Sequence, residues 1–211
     1  MKTQDLIRRL AQDTPPPPFS ERGVTLATVL AVVACTTAFL SLAGTRSDLF
    51  AAMLSPLVAT KTLLPASLFI LSLKAALRMA RPDRAPSHAL RPLLLLALVA
   101  ALMWLRAFAN LSPDQRFAEV GAFSLSECVG FITLLSVVPA AVLIARLQHG
   151  ASMSPIRSGA LAGLAAGSGA ATGYSLFCVQ DNPLFFVTWY GFAILLVSVL
   201  TALAGSRFLR W

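Results

Sequence analysis

The chain has 211 residues, 57% of them hydrophobic and only 12% charged, with a mean hydropathy of +0.75. Soluble domains run about 45–50% apolar and about 25% charged, and a domain of this size leaves much of its area in contact with solvent, so a water-soluble enzyme is excluded. The formal charge of +8 would suit a nucleic-acid binder, but the basic residues flank long apolar runs. Membrane orientation accounts for them there, and direct nucleic-acid binding is not expected.

Residues 1–13, MKTQDLIRRLAQD, predict a short amphipathic helix. Thr3 is placed to cap it and Asp5 complements the dipole in its first turn. Leu6, Ile7 and Leu10 share one face, while Arg8, Arg9 and Asp13 lie away from it. About ten residues do not hold a helix in water alone, so this one needs a partner, either a membrane surface or another protein. Pro15 to Pro18 end it and favour extended polyproline II geometry, which makes 14–22 a semi-stiff spacer.

Six apolar runs follow, at about 23–43, 56–79, 90–109, 125–147, 156–178 and 184–204. Each is long enough to cross a hydrocarbon core of about 30 Å as a helix. The first begins too late and runs too long for a signal-peptide core of about 7–15 residues. A retained span is therefore expected, although Ser41-Leu42-Ala43 loosely resembles a cleavage site. Helices are required because unpaired backbone groups do not face lipid, and the alternation of a β-barrel is missing. The expected fold is all-α: an integral membrane bundle of six transmembrane helices (23–211), preceded by a short cytoplasmic amphipathic helix and Pro-rich linker (1–22).

Loop charge sets the orientation. Lys2, Arg8, Arg9, Arg22, Arg81, Arg84, Arg146, Arg157, Arg207 and Arg210 fall on one side, flanked by Lys74, Arg78 and Arg91. The other side holds Arg46 and Arg116, with Asp48, Asp114, Glu119, Glu127 and Asp181. The positive-inside rule then puts both termini in the cytoplasm of a bacterial inner membrane, where soluble partners reach the leading helix.

Chemistry-bearing residues are few. Cys128 enters the fourth span from the outside and Cys178 ends the fifth, so both should lie within about 5 Å of the outer boundary. Gly159, Gly163 and Gly167 form a ridge on the fifth span, with Gly169 and Gly173 as a second pair. Such ridges serve internal helix approach or dimerisation alike, so oligomeric state stays open. A disulfide between Cys128 and Cys178, a soft-metal site helped by Glu127 and Asp181, and plain packing all remain alternatives for the pair. Cys35, mid-span, reads as packing. Lys61 sits about five residues inside the second span and must pair with an acid or snorkel outward. His88 and His149 read as solvated loop residues. Trp189, Tyr190 and Trp211 read as interfacial anchors. The nucleotide, zinc-protease and serine-hydrolase motifs do not occur and no paired carboxylates present themselves, so neither enzyme activity nor a cofactor is expected.

Several segments resemble the NrsF family of membrane anti-sigma factors: the opening MKTQDLIRRLAQDTPP, SPLVATKTLLP, RPLLLLALVAALMWL, SGALAGLAAGSGAATGYSLFC with DNPLFFVTWYG, and the terminal RFLRW. The resemblance runs over the whole chain in order. It implies a six-span protein that holds an extracytoplasmic-function sigma factor inactive through its cytoplasmic N-terminal segment, with Leu6, Ile7 and Leu10 as the contacts. It also implies a response to heavy-metal or oxidant stress through two membrane cysteines, Cys128 and Cys178 here. On that reading, oxidation or metal binding repacks the fourth and fifth spans and releases the sigma factor. The rivals are a membrane thiol oxidoreductase feeding a quinone, and a small transporter using Lys61.

Overall fold

The computed structural model describes residues 3–5, 19–81, 90–116, 122–152 and 154–209, with the side chains of 122–125 left aside. Among the described residues there are six long helices: α1 (Glu21–Ala43), α2 (Pro56–Met79), α3 (Arg91–Asn110), α4 (Ala122–Leu147), α5 (Pro155–Ser175) and α6 (Pro183–Phe208). Single helical turns at Leu49–Met53 and Pro113–Arg116 lie in the α1–α2 and α3–α4 connections. Among the described residues there is no strand. Of the leading segment, residues 3–5 are helical and exposed; Leu6, Ile7 and Leu10 lie outside the described residues, as do Arg8, Arg9, Pro15 to Pro18, Arg84, His88, Glu119, Arg210 and Trp211.

Local signals mark where the helices begin. Ser20 and Ser55 accept hydrogen bonds from the backbone N–H groups of Gly23 and Val58, and Asn182 accepts one from Leu184, each at the start of a helix. Proline occupies the first turn of α2, α3, α5 and α6, where its missing N–H costs nothing. Gly44 ends α1 with φ 85, a backbone shape that side chains disfavour, and so turns the chain toward Arg46.

Five of the six helices, all but α5, are long and apolar enough to cross a membrane. Of the six expected spans, α5 falls short of that measure, because its sequence PIRSGALAGLAAGSGAATGYS is diluted by glycine and serine. The reason is position: 15 of its 21 residues are buried, so its surroundings are other helices and apolarity is not demanded of it. The outer helices do the opposite. No residue of α3 is buried, and Leu94, Leu95, Leu98, Leu102 and Leu105 are all more than half exposed. Outward leucine on that scale belongs in lipid.

The glycine ridge works inside the chain. A Cβ on Gly163 would stand 2.6 Å from Cα of Ser198, and one on Gly159 would stand 3.0 Å from Cα of Gly205, so the ridge lets α6 lie directly on α5. The second pair faces α1, where Gly169 meets Val32 and Gly173 meets Thr36. The two ridges thus serve packing against α6 and α1. The bundle holds two cores. One contains Leu73, Leu77, Leu143, Leu147 and Leu161, and the other contains Cys128, Ile132, Tyr174, Cys178, Phe186 and Tyr190.

Candidate functional site

The second core carries the polar chemistry, and it begins with a charge that the apolar sequence should not tolerate. Lys61 is 0% exposed. A lysine in the middle of a span costs about 2.5–3.5 kcal/mol on insertion scales unless it is paired. Its Nζ donates to the backbone oxygen of Cys178 at 2.6 Å and to Oδ1 of Asp181 at 3.1 Å. Pro65 lies four residues later in α2 and has no N–H to offer the Lys61 carbonyl, a local loosening of the helix beside the charge.

Asp181 is shared. Arg46, in the α1–α2 connection and itself buried, binds it through both terminal nitrogens at 2.9 and 3.0 Å. The same guanidinium grips Asp48 through Nε at 2.8 Å and Nη2 at 3.0 Å. Two cations and two carboxylates therefore cancel within one network, and bidentate pairing fixes its shape. Hydrogen bonding to Asp48, then to Asp181, pushes the Arg46 guanidinium further above its ordinary range. The Arg46 bond holds the exposed Asp48 carboxyl below its usual range. Partial burial pushes Asp181 up, but Arg46 and Lys61 together outweigh it and leave this carboxyl low. A further bond, from the Arg46 N–H to the Leu176 carbonyl at 3.2 Å, ties the α1–α2 connection to the end of α5.

The two cysteines lie just beneath this network. Cys128 on α4 and Cys178 after α5 are 2% and 5% exposed, both thiols are free, and they pack in one buried cluster. Cys128 Sγ also lies 3.3 Å from the Tyr174 hydroxyl. Aromatic rings close the pocket: Tyr174 meets Tyr190 edge-on at 5.8 Å, and Phe39 of α1 sits 5.3 Å from both Phe131 and Phe177. The arrangement brings together two thiols, two phenols and a lysine in a dry setting. Two adjacent thiols there can close to a disulfide. Among the described residues no group of three or more His, Cys, Asp or Glu is placed to hold a metal ion, and Asp181 is already committed to Arg46 and Lys61.

Several expectations are refined here. Lys61 pairs with an acid and does not snorkel outward. Tyr190 is no interfacial anchor: it is 3% exposed, because Phe186, Tyr190 and Ile194 fall on the inward stripe of α6. Trp189, next to it, is partly exposed and meets Phe192 edge-on. Cys35 is partly exposed in mid-α1, away from the pair. His149 is exposed, with Nδ1 3.2 Å from the Ala145 carbonyl. Sequence reasoning missed Arg46, Tyr174 and Tyr190. The one available signal was Lys61, which required an acid somewhere in the bundle.

The family model described as "Negative regulator of sigma F" (NrsF) matches residues 10–211. The chain is 30% identical over 217 residues to a "Probable anti-sigma-F factor NrsF" of Azospira oryzae, an alignment that covers all of both chains. No solved structure matches it.

Proposed function

The chain belongs to the NrsF family of negative regulators of sigma F, and from that premise we propose that it is a membrane-bound anti-sigma factor switched by its thiol pair. Residues 1–22 are the sigma-binding segment and linker, with Leu6, Ile7 and Leu10 laying an apolar stripe into a groove on an extracytoplasmic-function sigma factor. Residues 23–211 are a six-span domain in the bacterial inner membrane, with both termini in the cytoplasm as loop charge requires. α5 counts as the sixth span because its neighbours replace the lipid that its composition avoids.

The observation that carries the reading is the packing of Cys128 and Cys178 in one buried cluster beneath a network that grips the end of α1. Oxidative stress closes the pair to a disulfide. The Cys178 carbonyl and Asp181, three residues on, shift with it, and both are held by side chains of other elements. Arg46 passes the shift to α1, whose far end leads into the sigma-binding segment. Oxidation is favoured over heavy-metal capture because the nearby carboxylate is already engaged.

The test is a pull-down from membranes. Full-length protein should retain a sigma factor, and protein lacking residues 1–20 should not; capture by the truncated form would remove the docking assignment. Oxidant should release the sigma factor from wild type and not from Cys128→Ser/Cys178→Ser. Equal release from both would remove the thiol assignment.

A further inference from the structure

A cavity of about 290 Å³ lies between α2, α3 and α6, walled by leucine, isoleucine and alanine (Leu68, Ala97, Ile194 and Leu195 among them). Leu195 at its rim is 61% exposed, so the cavity reaches the bilayer side of the bundle. Its polar points are Lys61 and Tyr190. The Tyr190 hydroxyl is buried and completes no hydrogen bond of normal geometry, although tyrosines in such places ordinarily find a partner. Lys61 is 0% exposed, and its ammonium stays with the Cys178 carbonyl and Asp181. An apolar slot with a spare donor at one end asks for an apolar molecule with an acceptor at its tip.

Depth selects among such molecules. Lys61 lies five residues past Pro56, and Tyr190 lies seven past Pro183. At 1.5 Å per residue both are roughly 8–10 Å inside the helix ends, below the level of phospholipid headgroups. An acceptor at that depth belongs to a small ring carbonyl carried on an apolar tail. The neighbours select further, because Tyr190 lines the cavity and packs in the same cluster as Cys178 and Cys128.

We propose that this cavity binds a lipid-soluble quinone and that the quinone is the oxidant of the thiol pair. Tyr190 donates to one quinone oxygen. The S–H bonds of Cys128 and Cys178 break and one S–S bond forms. The two electrons and two protons released reduce the quinone to its quinol, with Tyr190 as the side chain between. The sensor turns over once per event and reads the oxidation state of the membrane pool. The electron step rests on the thiol reading given above; the binding step does not.

The experiment uses full-length protein in phosphatidylcholine nanodiscs and decylubiquinone as probe, read by quenching of tryptophan fluorescence (Trp104 and Trp189 stand on α3 and α6). Quenching should saturate. Ala97→Phe, which fills the cavity, should weaken binding at least ten-fold. Tyr190→Phe, which keeps the ring, should weaken it about five-fold. Cys128→Ser/Cys178→Ser should bind as wild type. Without oxygen, decylubiquinone should yield one quinol per Cys128–Cys178 disulfide in wild type, while the water-soluble oxidant diamide should form that disulfide in Ala97→Phe as well. Quenching that never saturates, or is equal in Ala97→Phe and Tyr190→Phe, overturns the site, as does a co-purified phospholipid that the quinone fails to displace. Saturable binding without quinol overturns the electron step. If diamide forms no disulfide in wild type, the thiol reading itself fails, and the binding measurements still decide the cavity.

Discussion

Asp181 is the residue on which the buried charge depends. Removing one partner of a fully buried ion pair costs about 3–5 kcal/mol, whereas replacing a buried charge by an apolar side chain of similar shape is often neutral. The Asp181 side chain keeps 28% exposure, so Asp181→Ala should cost less, about 2 kcal/mol, by stranding Lys61. Lys61→Met leaves Asp181 paired with Arg46 and should change stability by less than about 1 kcal/mol. Thermal unfolding in detergent should rank them accordingly, with a clear loss for Asp181→Ala and little change for Lys61→Met. Acid tests the same pair. The folded carboxyl lies below its unfolded value of about 3.9, so its contribution is complete above that value and is lost as pH falls through the lower, folded one. Wild type should therefore lose stability as pH drops below about 4, and Asp181→Asn should show a flatter acid limb in the same melts.

At the scale of elements the glycines decide which helices touch. α6 lies on α5 because Gly159, Gly163 and Gly167 put no side chain between the backbones. Gly163→Val would drive its Cβ into Cα of Ser198 and the carbonyl of Val197, backbone atoms that cannot rotate away. Overpacking of this kind typically costs about 1–3 kcal/mol, and the thermal midpoint in detergent should fall accordingly. Gly130, whose surroundings are open, should accept alanine with little change in the same measurement. The helices were legible in the sequence, since an apolar run about twenty residues long is a strong signal; the run at 56–79 coincides with Pro56–Met79. The partners of each helix were not, because a GxxxG ridge states that something approaches closely without stating what. The site was half legible. The shared depth of Cys128 and Cys178 followed from counting along spans. The link between Arg46 and Asp181 did not, because charges in two loops 135 positions apart carry no periodicity. Tyr190 was misread because position near a span end outweighed the i, i+4 spacing that turns it inward beside Phe186.

Across the whole molecule, the question is how a change at the thiols reaches the other end of α1. That helix has 23 residues, so its ends stand roughly 34 Å apart, and a helix tied at one end moves as a rod. Besides the backbone bond from Arg46 to the Leu176 carbonyl, two side-chain contacts tie it to the thiol core. One is the Arg46–Asp181 pair, and the other is the packing of Phe39 against Phe131, Tyr174 and Phe177. At its other end, Glu21 pairs with Arg81 at 3.1 Å, next to the segment assigned to sigma binding. The ionic tie is directional and close to Cys178, whereas ring contacts slide at little cost, so the ionic tie should dominate. Arg46→Met tests this, because Lys61 still neutralises Asp181 and the fold should persist. The variant should capture its sigma factor normally and form the Cys128–Cys178 disulfide under diamide, yet keep the sigma factor bound. Disulfide content by mass spectrometry and bound sigma factor by pull-down, taken from the same sample, separate sensing from transmission. If Arg46→Met releases the sigma factor as wild type does while Phe39→Ala does not, the rings carry the signal and the ionic tie only holds the fold together.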